Sequence, residues 1–128
     1  MPERTQLDFR TRRMTRSYEF VVGRVLLSLL FVAGAVQKAL DPLPAQSLLA
    51  GAGLPEWLIW PALIFNALAA VLLIAGKFLK PIGRALALYC VATSVFHFVP
   101  SDPWQMSIMI KNWAIAGGCL ILAASSDR

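Results

Sequence analysis

Five polar residues stand at the ends of otherwise apolar runs. Gln37 and Lys38 close the first run, His97 lies near the end of the third, and Lys111 and Asn112 fall early in the fourth. At ~1.5 Å per helical residue, antiparallel helices would bring all five to one depth, with Asp41 and Asp102 nearby as counter-ions. An imidazole can donate to a quinone carbonyl, and an ammonium can stabilise the reduced anion. Lys38, His97, Lys111 and Asn112 are therefore the candidate ligand site, and a quinone is the cofactor they suit. A plainer reading stands beside it. Lysines near helix ends snorkel to the interface, and a lone histidine can satisfy a nearby carbonyl.

Other chemistry is poorly served. A bis-histidine haem needs two histidines and the chain has one, which disfavours a tetrapyrrole. Cys90 and Cys119 lie in separate apolar runs, with no CxxC and no metal-ligand spacing. A thiol buried in lipid acts as a small hydrophobe and ionises poorly. Asn66, in the middle of the second span, and Gln37 read as helix-packing groups, because an amide in lipid bonds to a neighbouring helix. Glu19 and Arg24 form a polar group toward the opposite end, at a five-residue spacing that does not favour direct pairing. No catalytic motif is present, and whether any reaction is catalysed stays open.

The elements that must carry these residues follow from the uncharged runs. The chain has 128 residues, 58% hydrophobic and 15% charged, with a mean hydropathy of +0.65. Soluble domains have about 25% charged residues, so a bilayer is the natural solvent for the excess apolar surface. A span needs ~20 apolar residues. Four spans are predicted, at about 18–40, 56–76, 82–99 and 104–125, preceded by a polar arm at 1–17 that runs along the membrane surface. The first run, with Ala33-Gly34-Ala35, also matches a secretory signal and its cleavage site; it is read here as a span. Asp41-Pro42-Leu43-Pro44, Gly51 to Pro55, Gly76 to Gly83 and Pro100 to Pro103 separate the spans, because proline and glycine interrupt helices. Ala45 to Ala50 suits a short interfacial helix. The fold class is all-α, an integral membrane four-helix antiparallel bundle with a basic N-terminal arm.

Charge orients it. Arg10, Arg12, Arg13 and Arg16 crowd the arm as lipid or partner contacts, and Lys77, Lys80 and Arg84 occupy the second link. The positive-inside rule places both on the cytoplasmic side, and an even number of spans returns the C-terminus there. Trp57, Trp60, Trp104 and Trp113 gather toward the other side, as an interfacial belt does. The net charge of +5 thus reads as a topology and lipid signal, not as a nucleic-acid footprint.

One ordered set of motifs matches a known family. It runs from Phe31-Val32-Ala33-Gly34-Ala35-Val36-Gln37-Lys38 into Asp41-Pro42, then Gly53-Leu54-Pro55, an apolar run closing at Gly76, Phe96-His97, and Lys111-Asn112 before Gly117-Gly118. Over about Gly23 to Ala124 the chain resembles the DoxX family of small four-helix membrane proteins. That resemblance implies the fold and a link to redox membranes, since some members are subunits of thiosulfate:quinone oxidoreductase or are associated with quinol oxidation. Family members often carry a glutamate in the second span followed by a glycine pair. Asn66 and Ala69-Ala70 stand there in this chain, which removes a proton acceptor. The expected function is a non-catalytic accessory or structural subunit of a larger respiratory or photosynthetic membrane complex, in contact with lipid and other membrane subunits. The alternative is a quinone-linked oxidoreductase subunit with its site near His97 and Lys111. The expected location is a bacterial inner membrane.

Overall fold

The computed structural model describes the backbone of residues 2–126 and the side chains of residues 18–126. Helix α1 runs from Pro2 to Leu40, a short α2 from Leu43 to Gly51, α3 from Ile59 to Ala75, α4 from Leu79 to Ser94 and α5 from Pro103 to Ser125. Single 3-10 turns precede α3 (Glu56–Leu58) and follow α4 (Val95–His97). There is no strand among the described residues. Four stretches are long and apolar enough to cross a membrane: Tyr18–Leu40, Glu56–Ala75, Leu79–His97 and Pro103–Ser125. In hydrocarbon every backbone N–H and C=O must be paired within its own segment, and helices meet that demand.

The arm expected to lie apart along the surface is instead continuous with α1. Between Glu3 and Val22 there is no glycine or proline to interrupt it, and Glu, Arg, Gln, Leu and Met favour helix. The side chains of Arg10, Arg12, Arg13 and Arg16 lie outside the described residues. Helix α1 stops where Asp41-Pro42 begins. Helix α3 ends on Gly76 at φ 75°, whose N–H and that of Lys77 both return to the Leu72 carbonyl. Only glycine adopts that left-handed turn cheaply. Asp102 caps α5, its carboxylate accepting from the backbone N–H of Trp104 at 3.0 Å and of Gln105 at 3.4 Å, with Pro103 in the first turn.

Packing is organised in two antiparallel pairs. Helix α1 lies along α3, and α4 lies along α5. Smaller contacts join α3 to α4 and α1 to α5. The α4–α5 pair is held by close approach. A Cβ on Gly83 would stand 2.8 Å from the Cys119 carbonyl oxygen and 3.0 Å from the Ala123 Cβ. Leu73 and Ala69 of α3 meet Leu86 and Cys90 of α4 and Cys119 of α5 in one buried cluster, and both cysteines are free. Gly23 and Gly117 face open space, whereas Gly83 makes a near approach, and Ala69 and Ala70 are buried in the cluster. Helix α1 is the most peripheral span, with 17% of its most apolar window buried against 28–33% for the others.

Gly83→Ala should lower the unfolding midpoint in detergent, at a cost of about 1–3 kcal/mol, because the group it meets is backbone and cannot rotate away. Gly117→Ala, with nothing nearby, should leave the midpoint unchanged or slightly raised. Equal effects would show that the two helices do not meet at Gly83.

Candidate functional site

The two lysines expected to share one layer point in opposite directions along the membrane. In an α-helix each Cα–Cβ bond tilts toward the helix N-terminus. Lys38 ends its helix, so its side chain runs back into the bundle, and Nζ donates to the Gly34 carbonyl at 3.4 Å. Lys111 lies in the first half of α5, so its side chain runs toward the start of that helix. Its ammonium sits 5.4 Å from the centre of the Trp104 ring, a cation–π contact on the exposed surface. Lys111 and Lys38 therefore project toward opposite ends of the bundle.

His97 stands apart from both. It is half-buried in the turn after α4, and its Nδ1 lies 2.7 Å from Gln105 Oε1 at the start of α5. An amide oxygen can only accept, so Nδ1 carries the proton in this pairing. No hydrogen bond joins His97 to Lys111 or Lys38 among the described residues. Asn112 is half-buried and Gln37 is exposed. Asp102, expected as a counter-ion, is committed to capping α5. Within the candidate set, His97 pairs with Gln105, Lys111 lies on the Trp104 face and Lys38 turns back to the Gly34 carbonyl.

A second polar group lies near the same point of α1. A Cβ on Gly34 would stand 3.5 Å from Asn66 Nδ2 and 3.6 Å from Lys38 Nζ, in ordinary contact with both. Asn66 is 2% exposed. Its Nδ2 donates to the Tyr89 hydroxyl at 3.4 Å across to α4. The Tyr89 ring also packs on Phe65, with centroids 5.3 Å apart. The Asn66 Oδ1 is buried and accepts no hydrogen bond. Three spans therefore bring an ammonium, an amide and a phenol together in the interior, and one strong acceptor is left over.

Tyr89 and Gln105 carry no signal that sequence reasoning used. A tyrosine inside an apolar run counts as an apolar residue, and a glutamine in the first turn of the fourth span reads as an interfacial polar residue. The hint for Tyr89 was Asn66 itself, because an amide in lipid demands a partner on another helix. A further pair, Trp113 Nε1 donating to Ser94 Oγ at 3.0 Å, ties α5 to α4 near the His97 turn.

A double-mutant cycle in bicelles with Asn66→Leu and Tyr89→Phe should give a coupling of about 0.6 kcal/mol and not above ~1.7 kcal/mol, the range for interhelical hydrogen bonds in membranes. Zero coupling would mean that the amide and the phenol do not interact.

The DoxX family model matches residues 20–98, which include Lys38, Asn66, Tyr89 and His97. No curated protein and no solved structure matches the chain. With more than half of its length matched, and four stretches able to cross a bilayer, the chain is a multi-pass membrane protein and belongs to the DoxX family.

Proposed function

We propose that the protein serves as a non-catalytic accessory or structural subunit of a larger membrane electron-transfer complex, respiratory or photosynthetic. One observation carries the reading. Helix α1 has 39 residues, about 58 Å at 1.5 Å per residue, whereas a bilayer core needs ~30 Å. Its Tyr18–Leu40 stretch is enough to span. The preceding turns carry Arg4, Arg10, Arg12, Arg13 and Arg16 against Glu3 and Asp8. A basic helix prolonged past the lipid suits an acidic face on a partner. Charge complementarity of this kind sets orientation and association rate. Lys77, Lys80 and Arg84 follow α3 and open α4, at the same end of the bundle as Arg24. The positive-inside rule makes that end cytoplasmic, in a bacterial inner membrane on this reading. The presence of family members in quinone-linked complexes supports the setting.

A second reading is favoured by the unpartnered Asn66 Oδ1. A quinol hydroxyl could donate to it, flanked by Tyr89 and Lys38. On this second reading a quinone-linked oxidoreductase subunit would use Asn66, Tyr89 and Lys38 beside the His97 and Lys111 region expected from the sequence.

Mild-detergent extraction followed by native gels and mass spectrometry of the partners tests the first reading. The full chain should migrate in a large complex. A variant lacking residues 2–17 should insert and keep its helical circular dichroism but migrate alone. A full-length protein that is monodisperse by itself, and that retains quinone lost on Asn66→Leu, would support the second reading and overturn the first.

A further inference from the structure

The contact between α1 and α5 leaves an open groove of about 1040 Å³. Its walls are mostly apolar, including Leu27, Ile115 and Ile121, and its width comes from small residues. Gly23 meets nothing within 4 Å, and a Cβ on Gly118 would only touch Leu27, at 3.7 Å. On the α5 side the groove extends from Ile115 to Ser125. Ten helical steps make this about 15 Å long, half of a ~30 Å hydrocarbon core. The groove has the length of one leaflet.

Its two charged residues lie toward one end. Arg24 and Glu19 both line the groove, and neither has an ion-pair partner among the described residues. The Arg24 guanidinium stacks at 5.7 Å over Phe20 and lies against Gly76 at the end of α3. It has no hydrogen-bond acceptor among the described residues, and its buried Nε is without a partner. No ion pair joins it to Glu19, which is exposed. An unneutralised guanidinium at the edge of lipid is costly. The order of the charges is informative. Arg24 is the deeper of the two, and Glu19 lies five residues, about 7.5 Å, closer to the polar end.

We infer that this groove is a structural site for one phosphatidylethanolamine molecule. An acyl chain fills the apolar length. The phosphate, at the top of that chain, meets Arg24 through charge-assisted hydrogen bonds. The primary ammonium, two methylenes farther out, meets the Glu19 carboxylate. A phosphatidylglycerol offers no cation to Glu19. A phosphatidylcholine offers a cation with no N–H to donate. The groove therefore distinguishes among three abundant headgroups by their chemistry.

The test uses the full chain reconstituted in vesicles of equal parts phosphatidylethanolamine, phosphatidylglycerol and phosphatidylcholine. After detergent extraction, retained lipid is counted by native mass spectrometry. Phosphatidylethanolamine should be retained roughly tenfold over each of the others, the weight of one charge-assisted hydrogen bond. Glu19→Gln should remove its advantage over phosphatidylcholine, and Arg24→Gln should lower retention of all three. Gly118→Leu, which fills the groove without touching either charge, should abolish retention, and it keeps the test decisive if the arginine variant fails to insert. Equal retention of the three lipids, or an unchanged preference in Glu19→Gln, would overturn the proposal. So would a photocrosslinker at Leu26 that captures polypeptide in place of lipid.

Discussion

Lipid offers a side chain no hydrogen-bond partner, so each polar group in the spans depends on the direction in which its helix projects it. That constraint separates Lys38 from Lys111. Both were legible as ionisable residues at similar depth. The tilt of Cα–Cβ bonds toward the helix start sends the first into the interior and the second toward water. Lys38 then needs an acceptor, which the Gly34 carbonyl supplies. Lys111 needs only the Trp104 face and the interface.

The same constraint shapes the helix pairs. Without water there is little hydrophobic drive between apolar helices, so association rests on close packing and a few interhelical bonds. The α4–α5 pair combines both, with Gly83 against the Cys119 backbone and the Trp113–Ser94 bond. Between α3 and α4 the interhelical bond is Asn66 to Tyr89. Where α1 faces α5 neither device is present, and the result is a groove. The two least satisfied buried atoms among the described residues, Arg24 Nε and Asn66 Oδ1, lie in different places and call for different occupants: the first borders that groove, the second is deep among three spans.

The fold was readable because its determinants are one-dimensional. Uncharged runs of sufficient length mark the spans, Pro42, Pro55 and Pro103 mark helix borders, and Gly76 marks a left-handed stop. The polarity of residues 1–17 marks an arm, and its helical continuity with α1 is consistent with the absence of any glycine or proline between Glu3 and Val22. The site was less readable. Depth follows from counting residues, but azimuth and side-chain direction do not follow from charge alone. His97, Lys111 and Lys38 therefore looked like one layer. Asp102 looked like a counter-ion because its position before Trp104 and Gln105 was weighed as charge instead of as a helix cap. Tyr89 escaped notice because its apolar ring hides a hydroxyl.

Side-chain direction is the central claim, and amine labelling reads it directly. The full chain in sealed bicelles is treated with a water-soluble acylating reagent, and modification is mapped by peptide mass spectrometry. Lys111 should be acylated freely and Lys38 spared, with Lys38 becoming reactive only after denaturation. Comparable modification of both lysines in the native protein would contradict the account, since it would place the two ammonium groups at the same water interface.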